Sequence, residues 1–123
     1  MPVWSIKIVP STTGLANEPA AFVPDLPGAE AGAPLKVLTG DLVTWNNTTD
    51  ETYQPWPTDA QGKLLGNPPV GQRGTANYLS DPIPGNASSR PSWSAVQIIS
   101  GQNTIYYCIK DFPDVKGTIV ITG

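Results

Sequence analysis

Apolar and polar residues alternate along several short stretches of this chain, and proline and glycine cut the stretches apart. From Val3 to Val9 the alternation has period two: Val3, Ser5 and Lys7 against Trp4, Ile6 and Ile8. That is the pattern of a half-buried strand, ended by Pro10. Ala20-Ala21-Phe22-Val23 fits a short second strand, or a loop that Phe22 alone anchors. Leu35 to Leu38 and Leu42 to Trp45 read as two strand halves around a Thr39-Gly40-Asp41 turn, where glycine points to a bend or bulge. Between Ser92 and Ile99, the residues Trp93, Ala95, Gln97 and Ile99 alternate with Ser94, Val96 and Ile98. Ser100-Gly101-Gln102-Asn103 is a turn signal, Thr104 to Ile109 is a strongly apolar strand, and Gly117 to Thr122 is the last one. Six to eight short strands with turns between them predict a β-sandwich or barrel.

The intervening segments carry no periodicity. Ser11 to Pro19 is polar and turn-rich, Pro24 to Pro34 is a loop or insertion, and Asn46 to Ala76 is a long polar, proline-rich stretch. A stretch that long inside a small domain tends to be functional or specially packed. Trp56, between Pro55 and Pro57, is expected to pin it to the body by burying its ring.

Composition supports the all-β reading. The 123 residues are the size of one domain, spanning 1–123, with enough chain for its own core. Pro 14 and Gly 12 make up about a fifth of the chain and leave little room for long helices. A net charge of -3 argues against phosphate-backbone binding, so no nucleic acid is expected. No run approaches the ~20 apolar residues that span a bilayer, so no membrane insertion is expected. The chain opens Met1-Pro2 and enters Val3-Trp4-Ser5-Ile6 directly, without a signal-peptide pattern. A cytoplasmic protein, or one whose leader has been removed, would read this way. The single cysteine allows no internal disulfide and leaves the redox compartment open.

The count of zero histidines changes the picture most. Imidazole is the commonest metal ligand and the usual general base near neutral pH. Its absence removes Ser-His-Asp and Cys-His catalysis and zincin motifs, and no enzyme mechanism can be named.

Two segments resemble the cupredoxins of the plastocyanin and amicyanin kind. Gly40-Asp41-Leu42-Val43-Thr44-Trp45-Asn46-Asn47 is similar to the family's Gly-Asp-x-Val-x-Trp/Phe-x-Asn strand. Ile105-Tyr106-Tyr107-Cys108, followed by Phe112-Pro113-Asp114-Val115-Lys116-Gly117-Thr118-Ile119-Val120, resembles its Tyr-x-Cys-x-x-His-Pro-x-Met-x-Gly loop. Ser80 to Gly85 is more weakly similar to its Ile-Pro-x-Gly turn. The resemblance implies a Greek-key β-sandwich, a periplasmic or secreted location, and a copper site at one end.

The ligand positions depart from the family pattern. Eight residues beyond Trp45, where the first histidine belongs, stands Tyr53. Anchored without gaps on Pro113 and Gly117, the second histidine falls on Phe112, the methionine on Val115 and the cysteine ligand on Ile109, beside Cys108. A type 1 site needs two imidazoles and a thiolate with a weak axial thioether. Four mostly apolar groups instead describe a site filled in as core, with no cofactor. In the other register Cys108 stays a ligand, the histidine falls on Asp111, and the loop gains a residue. That alternative is an atypical copper site using Cys108, Asp111 and Tyr53 or Gln54, in an electron-transfer or copper-carrier protein.

Blander readings stand beside these. Free cysteine is often simply buried. Asp111 and Asp114 with Lys110 and Lys116 read as a solvated loop, because nothing resembles the dense oxygen array of a calcium site. Asp50, Glu51 and Asp59, which invite a carboxylate-pair hydrolase reading, read as surface loop positions because nothing marks them as buried or matched. Trp56, Phe112 and Pro113 form either an apolar patch at which a protein partner docks, or only the cap of the core. Asn47-Thr48-Thr49 and Asn86-Ala87-Ser88 match the glycosylation pattern. The expected function is a non-redox binding or structural module.

Overall fold

Alternation places Ile6 and Ile8, Phe22, Val43 and Trp45, and Ile105 and Tyr107 on the inner faces of strands, and burying these side chains joins two sheets. Each fully buried large apolar side chain contributes about 1.5–3 kcal/mol. A computed structural model describes residues 3–65, 79–89, 93–98 and 101–122. Among them are nine strands and no helix: β1 (Val3–Pro10), β2 (Ala20–Pro24), β3 (Leu35–Val37), β4 (Leu42–Asn47), β5 (Pro55–Thr58), β6 (Ala87–Ser88), β7 (Trp93–Ser94), β8 (Thr104–Ile109) and β9 (Phe112–Ile121).

One sheet runs β2-β1-β4-β6, with β7 also on β4; the other runs β3-β9-β8-β5. Both are mixed, because β1 pairs with β4 and β3 with β9 in parallel while the remaining pairs are antiparallel. One apolar cluster spans both sheets. At its centre the Tyr107 ring meets Phe22 edge-on at 4.7 Å and Trp45 at 5.5 Å. The buried Trp45 Nε1–H leans toward the Tyr107 phenol without closing a hydrogen bond of good geometry.

The two strand halves around Gly40 belong to different sheets, so the expected bulge is instead a crossover. Gly40 takes φ 88°, a left-handed value that favours glycine. The buried Asp41 carboxylate accepts the Trp4 Nε1–H at 2.9 Å and the Leu38 N–H at 3.0 Å, tying the corner to β1. These donors, the Leu38 amide foremost, hold its pKa below the usual carboxylate value.

Several other expectations shift. Within the stretch from Ser92 to Ile99, the described residues 93–98 form only the two-residue β7. Trp93 and Ala95 are buried, but Ala95 bonds to the crossover backbone and Gln97 turns out to bond Asn103 and the Gly101 N–H. Ser92, Ile99 and Ser100 lie outside the described residues, as does most of the second half of the long polar stretch. The last strand begins at Phe112, five residues before Gly117.

β5 shows how a proline-flanked tryptophan becomes a strand. The Gln54 carbonyl accepts from Lys110 N–H on the β8 side, while the Pro57 carbonyl faces the outer edge and accepts Leu65 N–H at 2.9 Å. Pro55 and Pro57 therefore occupy the positions where no ladder donor is required. The segment after β5 turns on the Asp59 carboxylate and folds back, so that Leu65 also accepts the Trp56 Nε1–H at 3.0 Å.

Gly117 pairs with Tyr107 across the β8–β9 ladder, and a Cβ there would lie inside the phenol ring. Gly117→Ala is expected to cost about 1–3 kcal/mol by overpacking, or more, read as a lower denaturant midpoint. Asp41 predicts an acid limb. Its folded pKa is depressed, so its contribution is present above the unfolded value near ~4 and is lost as pH falls through the folded value. Asp41→Asn should lower the melting temperature at pH 7 and flatten its fall below about pH 4.

Candidate functional site

The candidate site is the end of the sandwich at which β8 turns into β9. Lys110 and Asp111 form a two-residue connection closed by the pair Ile109–Phe112. Neither has a positive φ, so the turn is not of the primed kind that matches strand twist. The next pair inward is Cys108–Lys116, which leaves Pro113, Asp114 and Val115 as a three-residue bulge on β9. The bulge absorbs the mismatch and folds Val115 into the core, where it is 4% exposed.

Opposite the hairpin, Tyr53 exchanges both backbone hydrogen bonds with Ile83, at 3.1 and 2.7 Å. Its ring meets Phe112 edge-on, with centroids 6.1 Å apart. Pro55 pairs with Ile109, so Tyr53, Ile109 and Val115 belong to the shared apolar cluster and Phe112 packs against it. Of the four positions drawn from the sequence spacing, Phe112 meets both Tyr53 and Ile109, and Val115 is buried in the same core. Burial, and then the Glu51 charge, raise the Tyr53 hydroxyl above the usual phenol range.

Cys108 lies on the other face of the same sheet. It sits in a row with Trp56 on one side and Lys116 on the other, outside the cluster that holds Tyr53 and Ile109. It is 1% exposed, and burial pushes its thiol up to about 11, against a smaller opposing pull from Lys116. Gln54 is also buried, its amide donating to the Ser80 carbonyl at 2.9 Å. Asp111 is exposed at the turn. The structure therefore does not bring Tyr53, Gln54, Cys108 and Asp111 into one constellation.

The apolar patch needs one correction. Trp56 is 2% exposed, sandwiched between the Cys108 row and the folded-back segment, with Lys110 Nζ 4.7 Å over its ring. It anchors the chain and offers no surface to a partner. Phe112 is half-buried and Pro113 exposed; Asp111 and Asp114 on the same hairpin, and Asp50 and Glu51 on the segment leading to Tyr53, are exposed too. Asn17, on the loop after β1, donates to Asp114.

Sequence reasoning missed Asn47, although it closes the first quoted motif. Fully buried, its amide donates to the carbonyls of Glu51 and Ile83 at 2.6 and 3.0 Å, while its oxygen accepts Thr49 N–H and Oγ1–H. It staples the segment leading to Tyr53 against the one carrying Ile83. Each buried group left unpaired by its loss would cost about 1–3 kcal/mol.

No family model matches the sequence, and no curated protein matches it. Solved structures resemble it in shape. A novel purple cupredoxin from Nitrosopumilus maritimus aligns over 96% of this chain and 98% of its own, at 15% identity and TM-score 0.55. A methionine-to-alanine mutant of amicyanin, Cu(I) form, aligns over 96% and 82%, at 15% identity and TM-score 0.51. The McoA multicopper oxidase from the hyperthermophile Aquifex aeolicus aligns over 98% of this chain at 16% identity and TM-score 0.51, and the chain spans 26% of that enzyme. The fold is that of the cupredoxins.

Copper is the group this fold implies, and the residues at the four positions counted from the sequence do not fit it. Three of the four positions are hydrocarbon and the fourth is a buried phenol, where a type 1 centre needs imidazole and thiolate. Among the described residues no three His, Cys, Asp or Glu side chains are grouped to hold a metal.

The Cys108 placement has a measurable consequence. At pH 8 an aromatic disulfide should modify the native thiol at least roughly 10²-fold more slowly than the denatured one, from thiolate fraction alone. Equal rates would show that the thiol is open to solvent.

Proposed function

We propose that this chain is a copper-free module with the cupredoxin fold, serving as a non-redox, non-enzymatic binding or structural unit outside the cytoplasm. The observation that supports this reading is that Tyr53, Ile109 and Val115 are buried in the apolar core and Phe112 packs against it, edge-on to Tyr53, at the positions where the resemblance puts the copper ligands. A cavity there would cost about 24 cal/mol per Å³, and filling it with hydrocarbon and a ring removes that cost. Such an end is held by the polypeptide and needs no ion to close it.

A protein partner would dock at this same end. Phe112 and Pro113 supply an apolar centre, and four exposed carboxylates on the neighbouring segments supply a polar rim. Partly exposed apolar groups ringed by polar ones are the anatomy of an interaction surface. The extracytoplasmic placement is supported by the fold alone.

Adding one equivalent of Cu(II), and separately of Cu(I), is expected to leave the visible spectrum and the melting temperature unchanged. An intense visible thiolate-to-copper charge-transfer band, abolished in Cys108→Ser, would overturn the reading in favour of an electron carrier.

A further inference from the structure

We infer that Asn86 is an acceptor for an N-linked oligosaccharide and that Asn47, the other matching position, is not. Both begin the pattern Asn-x-Ser/Thr, and the fold separates them. The Asn47 amide nitrogen is buried and donates to the carbonyls of Glu51, Ile83 and Pro84, so a glycan on it would break the staple between two segments. A chain modified there could not reach this structure.

Asn86 stands in the opposite situation. It is exposed at the turn before β6 and takes φ 60°, a left-handed conformation that asparagine tolerates better than most residues. Its amide nitrogen makes one long contact, 3.4 Å to the Asp50 carboxylate at the surface. Glycosylation leaves the amide one hydrogen, and at most this one long surface contact is at stake. Ser88, the hydroxyl residue of the pattern, is also exposed and bonds only loosely to Asn46, at 3.3 Å.

The transfer balances with a lipid-pyrophosphate-linked oligosaccharide as donor. The Asn86 Nδ2 forms a bond to C1 of the first sugar, the C1–O bond to the pyrophosphate breaks, and the lipid pyrophosphate leaves. The displaced amide proton passes to a base of the transferase, and nothing is oxidised or reduced. A glycan at this point would also shield β6, the two-residue edge of its sheet, from pairing with another chain.

The inference rests on the extracytoplasmic placement proposed above. Its test does not depend on copper or on a docking partner, so the two readings can fail separately. The full chain is secreted from a eukaryotic host behind a cleavable leader, and its intact mass is measured before and after peptide N-glycosidase. The expected result is a single glycan, removed by the enzyme to leave the deamidated residue at position 86, and absent from Asn86→Gln and from Ser88→Ala. A wild-type protein without glycan, a glycan mapped to Asn47, or a glycan that persists in either variant would overturn the inference.

Discussion

Tyr107 lies across Gly117, and the identity of everything at the hairpin end follows from that contact. It fixes the register of β8 against β9, and strand geometry then assigns faces with period two. Ile105, Tyr107 and Ile109 turn inward, whereas Tyr106 and Cys108 turn outward. A slip of one residue would bring the thiol into the end of the core and expel Ile109. The ring cannot move across, because Phe22 and Trp45 hold its other sides. One missing Cβ thereby decides whether sulfur or hydrocarbon faces the core beside Tyr53 and Phe112.

The inward placement of the counted positions was legible in the sequence to the extent that it depends on spacing. Tyr53, Ile109, Phe112 and Val115 could be counted from Trp45 and Gly117 because the chain between those anchors has a fixed reach. β1 was legible for a related reason, because a long alternating run has one way to bury its apolar side, and β8 as a continuous apolar and aromatic run. The split of β3 from β4 was not, since local alternation says which side faces in but not which sheet a strand joins. The early start of β9 was hidden because the bulge at Pro113 to Val115 breaks the alternation. Trp56 was half legible. Its burial follows from flanking prolines, but its lack of surface depends on the segment around Asp59 folding back, which is a tertiary event. Asn47 was hidden by the same logic, because its partners lie on segments far apart in the sequence.

An end of a sandwich can be closed in two ways: by side chains that ligate a common ion, or by side chains that touch one another. The first lends stability only when the ion is present, since binding free energy becomes folding free energy. Here the Tyr53–Phe112 contact, the Ile109–Phe112 pair and the Asn47 staple make the closure intrinsic. On the reading proposed above, the frame would serve as a rigid support presenting Phe112, Pro113 and the carboxylates of the same hairpin.

The two prolines of β5 reach beyond their own strand. An unpaired sheet edge is ordinarily a template on which an incoming peptide can add itself as a further strand. Along β5 the outward positions lack N–H groups, and the remaining carbonyl of Pro57 is already taken by Leu65. Recognition by strand addition is closed off on this side of the molecule. A chain approaching this edge would find no N–H ladder to join and would be read there through side chains, whose contacts can be retuned by single substitutions.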